Sequence, residues 1–288
     1  MHATAYDILR PAVPRSSVIF ASPHSGRDYR PEFLARTALN PLALRSSEDA
    51  FVDRLFGCAP DLGATLISAR LPRAWLDLNR SPDELDPALI EGLARGAPSP
   101  RICAGLGVVP RVVAQGRAIY RGKLTLAEAE ARLQTVWHPY HQTLARLMEE
   151  TRARFGRAIL IDCHSMPREA ISASLRGTGG LPQVVLGDRF GAAAAPAIMA
   201  RVERAFATAG LRVMRNTPFA GAFVAEHYGR PAEGFHVVQV EIDRALYMDE
   251  ARVSPLPAFR TLQQILRGVV ADIAAIDAGA PDMPLAAE

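Results

Sequence analysis

The chain has 288 residues, of which 49% are hydrophobic, 22% charged and 7% aromatic, and it carries a formal net charge of +3. Such a composition excludes disordered and fibrous classes, and a chain of this length buries roughly three quarters of its unfolded surface. Lys123 is the single lysine, and the arginines interleave with acids (Arg132, Arg146, Arg152 and Arg154 around Glu128, Glu130, Glu149 and Glu150), which is the pattern of a solvated helix face rather than the basic stripe of a nucleic-acid binder.

The elements follow in chain order. Ser17 to Ala21 reads as a short strand that stops at Pro23-His24-Ser25-Gly26. A helix is expected from about Ser47, capped by Ser46 or Ser47, with Phe51, Val52, Leu55 and Phe56 as its apolar face. Ala64–Ser68 and Ala74–Leu78 are strand candidates, the second ending in Asn79-Arg80-Ser81-Pro82. Residues 83–118 are rich in Pro, Gly and Arg without a period, a long excursion of the kind that often carries function. Thr125 and Glu128 form a capping box for a long helix to about Arg154. Ala158–Ile161 is a fully apolar strand that turns polar at Asp162-Cys163-His164-Ser165. A glycine-rich loop at 177–180, strands at Val184–Leu186 and Leu211–Met214, a helix over 193–208, a strand at His236–Ile242 and a helix over 257–276 complete the chain.

Cys58, Cys103 and Cys163 are far apart and odd in number, so no disulfide framework is expected. The chain opens without a charged start and apolar core, and no apolar run reaches membrane-spanning length. The expectation is a soluble cytoplasmic protein with neither membrane nor nucleic acid as partner. Apolar strands alternating with helices predict an α/β fold, three αβα layers around a mostly parallel mixed sheet, as a single domain over 1–288 with a loose tail after about 277.

In such sheets ligands bind beyond the carboxyl ends of the strands, and here those ends are reactive. Asp162 and His164 stand two apart and share a strand face, where an acid can fix a histidine ring; Cys163 points the other way, into the core. Taken alone, His24 is a turn histidine and Glu48 and Asp49 are acids at a helix start. Taken together, two histidines and one carboxylate suit a catalytic zinc that keeps a position open for water. Glu241 sits within a Val-rich strand, where an acid is costly unless paired (with Arg244) or functional. Asn79-Arg80 can grip a carboxylate, with Arg121 and Arg244 as further candidates. The three-residue spacing of His138 and His141 could suit metal ligands, but they lack a nearby acid and have Pro139 between them, which ranks them below the other set. His227 and His236 are polar-site candidates that are equally well read as structural.

These stretches resemble the N-formylglutamate amidohydrolases. The resemblance is carried by "SPHSG" (22–26), "EDAFVDRLF" (48–56), "LDLNRSPDEL" (76–85), "WHPYHQTL" (137–144), "ILIDCHSMP" (159–167) and "VVQVEIDRALYMDE" (237–250). That family is similar to the zinc carboxypeptidase and aspartoacylase group, whose zinc-exopeptidase-like (phosphorylase/hydrolase-like) fold it implies. The group's order of histidine, acid, Asn-Arg, histidine and glutamate is matched by His24, Glu48 or Asp49, Asn79-Arg80, His164 and Glu241.

The resemblance implies a zinc-dependent hydrolase that releases formate and glutamate from N-formyl-L-glutamate in histidine degradation. It implies His24, His164 and one acid as metal ligands, Asp49 being preferred to Glu48. It further implies Glu241 as the base, His227 as a donor to the oxyanion, and Arg80 with Asn79 and then Arg121 or Arg244 on the substrate carboxylates. In the carboxypeptidase pattern the acid follows the first histidine closely; here it stands over twenty residues on. The competing expectations are a related metal hydrolase for another N-acyl amino acid or short peptide, and a non-catalytic binder of an acidic metabolite.

Overall fold

The computed structural model describes residues 4–93, 99–174 and 180–276. Its centre is a seven-stranded sheet made of β1 (Tyr6–Leu9), β2 (Val18–Ser22), β3 (Thr65–Ala69), β4 (Ala158–Met166), β5 (Val184–Gly187), β6 (Val213–Arg215) and β7 (Phe235–Asp243), in the order β1-β3-β2-β4-β7-β5-β6. Strands β3, β2, β4 and β7 run parallel, β1 is antiparallel to β3, and the parallel pair β5–β6 joins β7 antiparallel. This is a mixed, mostly parallel α/β sheet, as expected.

Alternation along the central strands divides the core in two. Ile19, Ala21, Ile67, Ala158, Leu160, Phe235 and Val237 face one apolar layer. Val18, Phe20, Ile159, Ile161, Cys163, Val238, Val240 and Ile242 face the other. Both faces are covered, which is why these strands read as continuous apolar runs. In chain order the helices are α1 (Pro31–Arg36), α2 (Pro41–Arg45), α3 (Val52–Leu55), α4 (Pro100–Cys103), α5 (Leu126–Arg132), α6 (His138–Phe155), α7 (Arg168–Ser174), α8 (Pro196–Thr208), α9 (Phe223–Tyr228) and α10 (Phe259–Ala274). Helices α6 and α9 pack on the first layer and α3, α8 and α10 on the second.

The Thr125–Glu128 capping box is present. The helix it opens passes through a π-helical turn at Leu133–Trp137 before continuing as α6; such turns gather at functional sites. Two expected elements differ. Ala74–Leu78 is not a strand: Ala74, Leu76 and Leu78 are buried in alternation, but the chain turns at Pro72, whose carbonyl accepts from Trp75, and Asp77 bonds to Val108 rather than to a ladder. The helix expected from Ser47 begins only at Val52, because residues 46–51 form a turn that ends with Phe51 at φ 68°. Strand β1 was not foreseen, its four residues being only half-buried at the sheet edge. The glycine-rich loop, Gly180 apart, and the tail after 277 lie outside the described residues. Among the described residues no helix is long and apolar enough to cross a membrane.

Candidate active site

The polar end of the first sheet face makes the site. On β4 the side chains facing that layer run Ala158, Leu160, Asp162, His164; on β7 they run Phe235, Val237, Gln239, Glu241. The ladder pairs Asp162 with Gln239 and His164 with Glu241, so apolar core gives way to a two-by-two polar block halfway along the strands. Cys163, between them, is buried in the opposite layer, as its position predicted.

His24 enters just beyond β2. Gly26 follows because a Cβ there would lie 1.9 Å from the Leu71 carbonyl oxygen. The Asp49 N–H donates to the His24 carbonyl at 3.0 Å, which stitches the 46–51 turn to this loop and brings the two side chains together. His24, Asp49 and His164 are 1%, 1% and 3% exposed, and their donor atoms all lie within 4.8 Å of one another. Asp49 Oδ2 is 3.3 Å from His24 Nδ1 and 3.0 Å from His164 Nδ1, and the two Nδ1 atoms are 3.1 Å apart.

The far side of each ring is held by an acid. His24 Nε2 meets Asp77 Oδ1 at 2.8 Å and His164 Nε2 meets Asp162 Oδ2 at 2.9 Å. A carboxylate on Nε2 keeps the proton there and turns the Nδ1 lone pair inward. Two lone pairs facing each other across 3.1 Å repel unless a proton or a cation lies between them. Nitrogens about 2.0–2.1 Å from a tetrahedral zinc stand roughly 3.3 Å apart, so the donor set and its spacing fit such an ion.

The electrostatics agree. Burial opposes the Asp49 charge, but bonds from His164 and His24 and the charge of Arg244 hold its carboxyl well below the usual range. Burial likewise opposes charge on His164, and Asp162 and Asp49 outweigh it, raising its proton affinity well above normal. Asp77 is held low against burial by Arg73, His24 and Arg80. Burial pushes Glu241 up to about 7, with the His164 charge opposing and the Asp49 charge assisting. Gln239 fixes this acid: its Nε2 donates to Glu241 Oε1 at 3.0 Å, and its own Oε1 accepts from the Ala222 N–H at 3.1 Å.

A cavity of about 560 Å³ opens over the cluster, lined among others by His24, Asp49, His164, Glu241, Arg73, Arg80, Arg101 and Arg244. The residues named from sequence divide within it. Arg80 lines it, with Nε on the Leu106 carbonyl at 3.1 Å and Nη1 on the Asn79 carbonyl at 2.9 Å. Asn79 is engaged by the protein: its side-chain Nδ2 donates to Asp162 Oδ2 at 3.1 Å and its Oδ1 accepts from the Val224 N–H at 2.8 Å. Arg244 is committed to Asp49 Oδ1 at 2.9 Å and to Ser165 and the Ser46 carbonyl, not to Glu241.

Glu48 turns away, its carboxylate bound by the Tyr29 hydroxyl and Arg45. Arg121 is exposed and does not line the cavity, because its segment is tied to Arg36 on the outer surface. His227 is also exposed and outside the cavity, stacked on Phe223 on the outer side of α9. His236 is structural, accepting from the Ala195 N–H.

Asp77, Gln239, Arg73 and Arg101 were missed. A Gln-x-Glu pattern beside Asp-x-His was the available signal for Gln239; Asp77 lies in, and Arg73 just before, the Ala74–Leu78 stretch read as a strand, which hid their direction. Arg73 Nε donates to Asp77 Oδ2 at 2.8 Å, and the charges of Asp77, Asp49 and Glu241 more than offset the burial that works against its cation. The "WHPYH" stretch supports the site from behind. Trp137 Nε1 donates to the Arg80 carbonyl at 3.0 Å, and His141 Nε2 donates to the Leu78 carbonyl at 3.0 Å, so the peptide before Asn79 and the one after Arg80 are both held.

A sequence model of the N-formylglutamate amidohydrolase family matches residues 16–248. The chain is 33% identical over 262 residues to an N-formylglutamate deformylase of Pseudomonas aeruginosa, covering 90% of this chain and 91% of that protein. It is 34% identical over 205 residues to one from Pseudomonas putida, covering 70% and 71%. A crystal structure of an N-formylglutamate amidohydrolase from Ralstonia eutropha superposes with a TM-score of 0.88 at 34% identity, over 94% of this chain and 98% of that one. A protein from Agrobacterium tumefaciens shares the fold at 18% identity, with a TM-score of 0.62. With the match running from before β2 past the end of β7, the chain belongs to the N-formylglutamate amidohydrolase family, hydrolases of an amide C–N bond.

Proposed function

We propose that this protein is a metal-dependent amidohydrolase that cleaves N-formyl-L-glutamate to formate and L-glutamate, as a step of histidine degradation in the cytoplasm. The observation that carries the reading is the meeting of the His24–Asp49–His164 donor set with the buried Glu241 in one arginine-lined cavity. His24, Asp49 and His164 would hold one divalent cation, zinc by its donor set, which when bound lowers the pKa of water to about 7 and polarises a carbonyl.

Glu241 accepts a proton from the attacking water as its oxygen joins the formyl carbon. Arg73 supports the negative charge on the carbonyl oxygen, the role that His227 is too remote to fill. Glu241 then passes the proton to the nitrogen as the C–N bond breaks, leaving formate and the free amine. Gln239 keeps Glu241 aimed, and Arg80 takes a substrate carboxylate. Asn79 and Arg244 act on the ligands, Asn79 through Asp162 and Arg244 through Asp49.

The test is formate release from N-formyl-L-glutamate together with elemental analysis of the pure protein. Near one zinc per chain with formate released supports the reading. Zinc without formate release keeps the metal site and overturns the substrate. Neither metal nor activity after zinc is added back overturns the metal-hydrolase reading in favour of an acidic-metabolite binder.

A further inference from the structure

Residues between 101 and 116 of the long excursion line the cavity, and the charge they bring is unaccounted for by the residues that act on the reacting bond. Ser99 caps α4 through the Ile102 N–H, and the chain turns at Gly105, at φ 78°. Arg111 clamps this turn from outside, with Nε on Asp86 Oδ2 at 2.8 Å and Nη2 on the Cys103 carbonyl at 3.3 Å. The turn presents Arg101 to the same cavity as Arg80. One residue links the two arginines: the Leu106 N–H donates to the Arg101 carbonyl at 2.9 Å and the Leu106 carbonyl accepts from Arg80 Nε at 3.1 Å.

The two cations differ in what balances them. Glu84, 3.8 Å from Arg80 Nε, is the ion-pair partner of Arg80; among the described residues no carboxylate pairs with Arg101. The charge on Arg80 is penalised by burial, supported by Asp77, and opposed by Arg73 and Arg101. Asp77 is bonded to His24, so the charges are arranged outward from the reacting centre: Asp77, then Arg80, then Arg101 on exposed α4. Like charges facing one cavity attract an anion, and two guanidinium groups suit two carboxylates.

We propose that Arg101 is a specificity-determining residue: with Arg80 holding the carboxylate next to the scissile amide, Arg101 takes the distal carboxylate of a dicarboxylic substrate. This rests on the function proposed above, and it assigns to α4 the second arginine that the sequence places at Arg121 or Arg244. It accounts for a preference for a glutamyl side chain over its amide or an apolar chain of the same length.

The experiment separates this inference from the reaction itself. Binding of L-glutamate and L-glutamine to the full chain is measured by calorimetry for wild type, Arg101→Gln and Arg101→Lys. The kcat/KM ratio for N-formyl-L-glutamate over N-formyl-L-glutamine is measured alongside. Arg146→Gln, on the exposed side of α6, controls for loss of one positive charge. Wild type is expected to favour the dicarboxylate in both measures. Arg101→Gln should lower each ratio about tenfold or more, Arg101→Lys should recover part of it, and Arg146→Gln should leave it intact. Parallel loss for both ligands, or an unchanged ratio in Arg101→Gln, would overturn the assignment. If wild type releases no formate yet shows Arg101-dependent preference for glutamate, the reaction is wrong and the subsite stands; formate release with a preference indifferent to Arg101 has the opposite meaning.

Discussion

His164 and Glu241 are direct partners in the parallel β4–β7 ladder, so their side chains stand next to each other on one face of a rigid sheet. A group that must exchange protons next to a metal ligand gains from being fixed in this way. Glu241→Gln keeps the shape and a bond to Gln239 but removes the proton acceptor. We expect kcat to fall by about 10²–10⁴ while metal content stays at the wild-type level. Near-normal turnover in this variant would remove Glu241 from the proton path.

The two adjacent acids at 48 and 49 differ in direction, and their substitution should differ in kind. Asp49 touches both candidate ligand histidines, whereas Glu48 is held by Tyr29 and Arg45. Asp49→Ala should abolish tight zinc binding and activity together. Glu48→Gln should retain zinc and lower stability by about 1–3 kcal/mol, since buried donors lose an ionised partner. Elemental analysis and denaturant melts read both outcomes. Metal loss in Glu48→Gln with retention in Asp49→Ala would invert the assignment.

How far the site could be read from sequence follows from its geometry. Asp162 and His164 were legible because strand periodicity puts residues two apart on one face, and the polar switch after Ile161 marks where the core ends. The same rule, applied to Gln239 and Glu241, would have found Gln239. Arg73 and Asp77 were illegible because alternating burial at Ala74, Leu76 and Leu78 imitates a strand, while a local turn bond from Trp75 to Pro72 and a tertiary bond from Asp77 to Val108 decide the path. Arg101 and Arg121 lie in or near an excursion without periodicity, where only the fold tells an inward arginine from an outward one. His141 was weighed as a ligand and is instead a strut, a difference set by Tyr228, 87 residues away.

Arg73 lines the cavity with its cation supported by Asp77, Asp49 and Glu241, and the proposed mechanism sets it against the negative charge that develops on the carbonyl oxygen. Arg73→Met is expected to lower kcat by about 10² or more with a smaller change in KM, as removal of an oxyanion donor does. Arg73→Lys should restore part of kcat. A rise in KM at constant kcat would show that Arg73 binds a substrate carboxylate in the ground state instead.

His141 gives the fold a pH dependence of defined sign. Its ring is enclosed by Trp137, Phe223 and Tyr228, with Nδ1 accepting from the Tyr228 hydroxyl at 2.9 Å and Nε2 donating to the Leu78 carbonyl. Burial lowers its pKa to about 3 against the bond to Leu78, with His227 and His138 adding to the fall. The unfolded chain therefore binds a proton at this residue between about pH 6.5 and 3 that the folded chain refuses. Its contribution is fully present above 6.5 and is lost as pH falls through that window, at up to about 1.4 kcal/mol per pH unit. In His141→Gln that slope should disappear, so the stability difference between wild type and variant, measured in urea from pH 7 to 4.5, should shrink steadily toward acid. A difference that stays constant across the range would show that His141 is protonated in the folded protein or that its burial carries no proton linkage.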